Sequence, residues 1–407
     1  MTHDADILIV GGGLNGPCLA LACAQAGLSS IVIDALPEDV RQGAGFDGRS
    51  YALALASVRM LRALGLWDGL EDHAQPILQI KASDGRAGEG AAPFFLHFDS
   101  AELEEGPMGH MLEDRYLRRA LLEAMEAEPL VRHRPATTVV AQETDGAARV
   151  TLDTGETLTG RILVGADGRR SGTAARAGIK RTGWEYGQTA LVAAIAHEKP
   201  HEGIAHQFFM PPGPLAILPL LGNRSSIVWS ERHADAKRLM AADDAAFLDH
   251  LRPRFGDFLG EISLAGQRYA YPLNLTIANA FVAERLALVG DAAHGVHPIA
   301  GQGLNLGLRD VGALAQVLAE AKRRGEDFAA ADVLARYQSW RRFDTAALAL
   351  ATDGVNRLFS NDNPALRLVR DIGMGAVSAV PGLRRAFMRE AAGLTGDVPR
   401  LLQGRAL

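Results

Sequence analysis

Short apolar runs that stop at glycine-rich or glycine-acid turns set the first pattern along the chain. Residues 6–10, DILIV, run straight into GGGLNG at 11–16. A helix-forming stretch, PCLALACAQA, follows, and Gly27 stands where a helix C-terminal glycine is expected. SIVID at 30–34 is a second apolar run. Strand, turn, helix and strand in that order predict the start of a doubly wound parallel sheet. Apolar residues at helical spacing predict a helix from about Arg49 to Leu64, and DRYLRRALLEAMEAE at 114–128 predicts an amphipathic one. The Gly-, Ala- and Pro-rich stretch 85–93 reads as a loop.

The period then changes. ARVTLDTGETLTGRILVGADG alternates about Asp153-Thr154-Gly155, which predicts a hairpin feeding one more buried strand. From about 179 to 276 β-type runs dominate (ALVAAIA, AHQFFM, PLAILPL, SSIVWS), with one helix near 243–252. RLALVG at 285–290 returns the chain to the first sheet, and the sequence beyond Leu304 reads as helix, broken near Gly325, Asn361–Pro364 and Pro381. The expected fold class is α/β: a Rossmann-like doubly wound parallel sheet, an inserted mostly antiparallel β domain and a helical C-terminal region. The expected boundaries are 1–75, 100–178 and 277–325 for the nucleotide-binding domain, 76–99 and 179–276 for the β domain, and 326–407 for the helical region.

Composition acts mainly by exclusion. The 407 residues are 48% hydrophobic and 22% charged, enough for a large core, and the net charge of -6 argues against nucleic acid as a partner. The two cysteines, Cys18 and Cys23, fall in one predicted helix at a spacing that suits neither zinc nor a redox pair, so buried thiols in a reducing cytosol are expected. MTHDAD lacks the basic start of a signal peptide, and no apolar run reaches the roughly 18 residues that cross a bilayer. A cytoplasmic protein is expected, with peripheral contact on the inner membrane face as the further option.

Three glycine-acid motifs carry the chemistry. In Gly11-x-Gly13-x-x-Gly16 the first glycine permits a tight turn, the second lets backbone approach a pyrophosphate, and the third lets helix and strand pack closely. Asp34 ends the next run, where a carboxylate accepts from a ribose. In RILVGADGRRS, Asp167-Gly168 follows a buried strand and by itself reads as a turn. In GDAAHGVHPIAGQGLN, Gly290-Asp291 end a strand, Pro298 shapes the turn, and Gly301 and Gly303 clear side chains before a helix that begins about Leu304. Amides at that helix start suit a developing negative charge, so the stretch reads as a floor for a planar, electron-accepting ring.

With these motifs the chain resembles the class A flavoprotein monooxygenases, and within them the ubiquinone-biosynthesis hydroxylases that act on polyprenylated phenols. GDAAHGVHPIAGQGLNLGLRD at 290–310 is the most specific part of the likeness. The resemblance implies FAD as cofactor. Gly11, Gly13, Gly16 and Asp34 would hold its ADP half, and Gly290 and Asp291 its ribityl and pyrophosphate region. Pro298 and Gly301 to Asn305 (Gln302, Gly303 and Leu304 among them) would lie along the isoalloxazine. Arg49 holds the place of a family arginine that reaches the cofactor, and Arg115 is a further candidate contact. Asp167 and Gly168 match a fingerprint linked to FAD and pyridine nucleotide. Two departures stand out: Asp34 where the family more often has Glu, and Ala174 where it usually has arginine, with Arg176 two residues on.

GPLAILPL at 213–220 resembles the strand that covers the flavin, which makes Leu215, Ile217 and Pro219, with His206 and Phe208 of the neighbouring run, candidate substrate contacts. The implied cycle is reduction of FAD by NAD(P)H, formation of a flavin C4a-hydroperoxide from O2, and transfer of its OH to the ring of a polyprenylphenol. The ring environment is assigned to Pro298, Gly301, Gln302 and Gly303, with no side-chain base assigned. His206, Tyr271 and His297 are candidates for that base, and each has a structural reading beside it. His294 and His297 lack a third ligand, so no metal is expected. Arg309-Asp310 reads as a solvated helix face. The segment 363–394 reads as a core helix with a basic outer face, or as an amphipathic patch for anionic lipid. The alternatives are a flavin hydroxylase of another aromatic, a polyprenyl reductase on a related fold, and a lipid-intermediate-binding member of a quinone-synthesis complex without turnover.

Overall fold

Four apolar runs too short and too uniformly buried to be amphipathic build the centre of the protein. Ile7–Val10, Ser30–Ile33 and Ile162–Gly165 are buried at every position, as is Leu286–Leu288. Strands covered on both faces read this way, and such strands pair in parallel. The computed structural model describes residues 3–41, 43, 45–88, 90–297, 301–360 and 364–407. In it these runs form a six-stranded sheet in the order Val282–Ala283, Leu286–Leu288, Ile162–Gly165, Ile7–Val10, Ser30–Ile33 and Val131–Arg134. All neighbours are parallel except the first pair. The Asn15–Gln25 helix crosses from one central strand to the next, and the Gln302–Arg323 helix packs against it.

A second, nine-stranded sheet carries the β-rich segment. It is antiparallel apart from the Ile204–Phe209 and Gln79–Arg86 pair, which is parallel. Its axis is the 17-residue Arg181–His197 strand. A small sheet of Ser50–Ala54, Gly109–Glu113 and Ala74–Ile77 packs beside it.

Several local expectations change. Residues 50–54 are strand, and the helix starts only at Leu55, because Ser50–Ala54 pairs with Gly109–Glu113. Residues 85–93 are not a loop; they turn between the Gln79–Arg86 and Gly90–Asp99 strands. The single helix near 243–252 is two, His233–Ala241 and Asp244–Phe255. The breaks at Gly325 and Pro381 stand: helices span Gln302–Arg323, Ala331–Phe359, Pro364–Ala379 and Pro381–Ala391, and residues 361–363 of the expected Asn361–Pro364 break lie outside the described residues. Cys18 and Cys23 are buried and free, and burial pushes both thiols up to about 12.

Candidate functional site

Parallel order places Val10, Gly165 and Leu288 side by side, so all three glycine-acid motifs leave the sheet at its carboxyl end. Open α/β sheets bind ligands there. A cavity of about 420 Å³ lies at this edge, lined by Gly11, Gly13, Asp34, Asp167, Gly168 and Arg176 among others. Gly11 has φ of +119°, and a Cβ on it would lie 2.3 Å from the Ala166 carbonyl oxygen. A Cβ on Gly16 would stand 2.0 Å from the Gly11 oxygen. Gly13 has no atom within 4 Å of its Cβ position, so it faces open space. Asp34 is buried and accepts from the Leu36 amide at 3.1 Å. Gly12 presses on it, since a Cβ there would lie 2.3 Å from Asp34 Oδ2.

Asp167 lines the same cavity, but its carboxylate holds its own loop. It accepts from Ser171 Oγ at 2.5 Å and from the amide and hydroxyl of Thr173 at 2.9 Å. Ser171 in turn caps the short Gly172–Arg176 helix. This is the turn role that the motif has when read alone. Arg176 donates to Gln142 Oε1 at 3.0 Å.

The third motif leaves the sheet one strand over, on the side of the last helices. Gly290, at φ +61°, lies against Asn15. A Cβ on Gly290 would be 2.1 Å from Asn15 Nδ2, and one on Gly307 would be 2.6 Å from it. Asn15 thus wedges between the strand end and the Gln302–Arg323 helix, and its buried Oδ1 has no hydrogen-bond partner. Sequence reasoning passed over this residue, although it is the one polar side chain in GGGLNG. Asp291 is tied to Arg169 Nε at 3.1 Å, and its carbonyl accepts from Arg181 Nη2 at 3.0 Å. It lies one strand over from Asp167, outside the residues that line the nucleotide cavity.

Asp310 holds that turn in place, and it is not on a solvated face. Its Oδ2 accepts from the Gly290 amide at 2.9 Å and from His294 Nε2 at 2.5 Å; its Oδ1 accepts from Arg341 Nε at 2.8 Å. Burial pushes this carboxyl up, but His294 and Arg341 more than reverse it and hold it below the usual carboxylate range. Arg309 turns elsewhere, to the Thr395 carbonyl.

Pro298 lies outside the described residues. Gly301, at φ +65°, precedes the Gln302–Arg323 helix, and its Cβ position is 2.9 Å from the Ala52 methyl. Gly303 faces open space, and Leu304 packs at the edge of the core. Asn305 does not offer its amide to a ring. It accepts from the Ala54 amide and Ser57 Oγ and donates to the carbonyls of Ala52 and Gly301, which pins the helix start to the Ser50–Ala54 strand. Arg49 is held by Asp47 at 2.6 Å and Asp114 at 3.4 Å; Arg115 donates to Glu113 at 2.8 Å and lies over Tyr116.

The substrate candidates lie on the helix-covered face of their strands. Leu215 and Ile217 are fully buried beneath Phe247, Leu251 and Phe255 of the Asp244–Phe255 helix, and Phe208 packs with them. His206 lies on that same strand face, its ring 4.5 Å from Phe258, and burial lowers it to about 4. Pro219 shares the phase of Ile217. The opposite face presents Ala194, Ala205, Leu218 and Leu220, packed with Ala52 and Met111. Ala52 is the residue that Gly301 touches, so this is the face toward the glycine loop. The strands bury both faces, and alternation therefore could not fix the phase. Of the other base candidates, Tyr271 is 44% exposed, and burial raises its phenol, against Arg49 and with Tyr269, Asp47 and Asp114 adding. His297 is fully buried. Among the described residues no cluster of His, Cys, Asp or Glu could hold a metal, and His294 is engaged with Asp310.

The glycine cradle, open at Gly13, and the unpartnered Asn15 oxygen fit a dinucleotide. Residues 4–351 match the FAD binding domain family. The chain belongs to that family. FAD is accordingly the cofactor. The family likeness extends along the whole protein: ubiquinone hydroxylase UbiL of Rhodospirillum rubrum is 47% identical over 98% of this chain and 93% of its own. The 3-demethoxyubiquinol 3-hydroxylase of Escherichia coli is 36% identical over 97% of this chain and all of its own. The crystal structure of p-nitrophenol 4-monooxygenase PnpA from Pseudomonas putida superposes with a TM-score of 0.81 at 20% identity, over 98% of this chain and 100% of that one, which supports the fold. The resemblance drawn from the glycine-acid motifs is thereby borne out, as is the α/β fold class.

Proposed function

We propose that this FAD-binding chain hydroxylates the aromatic ring of a polyprenylphenol on the way to ubiquinone, with NAD(P)H as reductant and O2 as oxidant. The observation that carries the reading is 47% identity to a ubiquinone hydroxylase over nearly the full length of both chains. FAD, when bound, supplies the oxygen chemistry. The chain's own part is to bind, orient and exclude water. The backbone at Gly11, Gly13 and Gly16 would hold the pyrophosphate, and Asp34 the ribose. Gly290 and Asp291 would hold the ribityl side. Amides from Gly301 to Leu304 would stabilise the negative charge that grows on the ring on reduction. The apolar patch of Ala52, Met111, Ala194, Leu218 and Leu220 keeps the reacting face dry.

The test is direct. Purified protein should be yellow, a prenylphenol should accelerate NAD(P)H oxidation, and the product should gain one oxygen in mass. Yellow protein that binds prenylphenol without consuming NAD(P)H would favour the scaffold alternative. Turnover only with an unprenylated aromatic would favour a different hydroxylase.

Membrane contact, if the substrate enters from a bilayer, falls to the Pro381–Ala391 helix. Two of its arginines are engaged in ion pairs. Arg384 pairs with Glu102 and Arg389 with Glu105, while Arg370 is buried on Asp84. The exposed apolar side chains Val380, Leu383 and Phe387 are the better anchor. Among the described residues no helix is long and apolar enough to cross a membrane. Leu383→Asp with Phe387→Asp should reduce co-sedimentation with vesicles; unchanged sedimentation would remove this contact.

A further inference from the structure

The apolar sheet face that meets Gly301 through Ala52 does not stop at the reacting patch. Ala205 pairs with Ile80, and Ile80 stands opposite Phe98 on the next strand. Residues two apart on a strand share a face, so Ile80 and Ala82 extend the face of Ala205, and Phe98 and Leu96 extend it again. Ile80 is the joint. It packs against the cluster of Met111 and Leu220 at the loop end, as Ala52 does. It also packs against Leu103, Met108 and Met388 farther out. Beside these, Ala82 and Leu96 lie with Phe359 and Met374.

The C-terminal helices roof this continuation. Pro364–Ala379 packs on the Gly90–Asp99 strand, and Met388 of Pro381–Ala391 is fully buried in the seam. Charge fastens the roof: Arg370 is buried on Asp84 at 2.7 Å, and Arg384 holds Glu102 at 2.7 Å. Between these fasteners the lining is apolar and incompletely sealed, since Ile80, Leu96 and Phe98 stay partly buried beneath the helices. Four of the nine methionines, Met108, Met111, Met374 and Met388, lie along it. Methionine is unbranched and re-packs around irregular occupants, whereas a core built to stay shut favours branched side chains. At the outer end Phe387 precedes Met388, and Leu383 stands one turn back on the same helix, both of them exposed. The opposite face of the sheet offers no such path, because Leu215, Ile217, Phe247 and Phe255 are at most 1% exposed.

We infer that the polyprenyl tail of the substrate lies in this seam, running from the reacting patch past Ile80 to Met388, and leaves the protein beside Leu383 and Phe387. The inference rests on the proposed hydroxylation of a polyprenylphenol and adds where the tail goes. An isoprenoid tail carries no hydrogen-bonding group, so apolar contact is the one kind of recognition it admits. Aliphatic, aromatic and methionine side chains in an unbroken row supply that contact. Selection in the seam is by tail length: a phenol without a tail reaches the loop end and touches neither Met388 nor Leu103.

The experiment uses FAD-loaded full-length protein. A phenol whose polyprenyl tail carries a diazirine near its middle is bound and irradiated, and mass spectrometry identifies the labelled peptides. Label should fall within residues 95–108 and on the Pro381–Ala391 helix, and excess polyprenylphenol without the diazirine should suppress it. Label confined to other segments would overturn the seam. Met388→Trp fills the seam from the roof, and Leu103→Trp narrows it from the facing wall. In each, kcat/KM for a polyprenylphenol should fall about tenfold or more relative to the same phenol without a tail, mainly through KM. A merely structural loss would lower both substrates alike, and Met388→Leu should keep the parent ratio. An unchanged ratio in both tryptophan variants would overturn the inference. If the parent hydroxylates no prenylphenol, the functional reading fails, and the label still decides whether the seam holds a tail.

Discussion

Asp310 and Arg341 form an ion pair in which neither side chain has any exposure to solvent, with Arg341 Nε 2.8 Å from Asp310 Oδ1. The same carboxylate carries the Gly290 amide and His294, so one buried charge fixes the turn beside the cofactor site. Removing one partner of a buried pair leaves the other uncompensated, at a cost of about 3–5 kcal/mol. Asp310→Asn should therefore lower the melting temperature and reduce flavin content together. Asp310→Asn protein that melts like the parent with full flavin would show that the turn stands without the pair. Because the carboxyl is held below its ordinary value in the fold, its contribution is complete above the unfolded carboxylate range and is lost as pH falls through the lower folded value.

Gly13 and Gly16 differ in what they face, so their alanine variants should part. Gly13→Ala meets no protein atom within 4 Å. It should leave apoprotein stability within about 1 kcal/mol, as for a compatible Gly→Ala change, and weaken FAD at least tenfold. Gly16→Ala collides with the Gly11 carbonyl and should damage both. Thermal melts of apoprotein beside a fluorescence titration with FAD separate the two. Equal FAD affinity for Gly13→Ala and the parent would remove Gly13 from the cradle.

Ile217 and Leu218 are neighbours on opposite faces of one strand. Ile217→Ala empties packed core under the covering helices and should cost about 2–5 kcal/mol of stability with little change in KM. Leu218→Ala opens the face toward Ala52 and should raise KM for the prenylphenol, and it should lower the fraction of NAD(P)H oxidation that yields hydroxylated product. The opposite pattern would restore the phase first read from the sequence.

Acid should loosen the fold across the histidine range. Burial lowers His110, His206 and His297 to about 4, against 6.5 in the open chain. The unfolded chain thus binds more protons between those values, so stability rises with pH across that window and is fully present above 6.5. Urea midpoints at pH 7.5, 6.0 and 5.0 should fall in that order. A flat series would mean that these histidines charge freely in the folded state.

The parallel core and the three glycine motifs are legible in the sequence because each is local: an unbroken apolar run, then glycines at fixed offsets. What escapes it depends on partners far along the chain. Residues 50–54 take strand geometry only because Gly109–Glu113 lies alongside, and Asp310 is buried only because Arg341 reaches it. The wedge made by Asn15 needs two glycines, Gly290 and Gly307, from near the other end of the chain. The strand phase at 204–220 is not legible for a different reason: both faces are apolar, so periodicity carries no sign. The register slip between Glu185 and Thr189 has a local cue in Gly187, but only pairing with Tyr269–Ala278 reveals it.

The strand order also has a consequence for synthesis. Leu286–Leu288 slots in beside Ile162–Gly165, so the strand that carries the third glycine turn is contributed by a segment made late. A growing polypeptide that stalls before residue 286 has its first two glycine turns but not the third. Flavin loading should therefore wait until that turn is made, and products that end before it should emerge colourless.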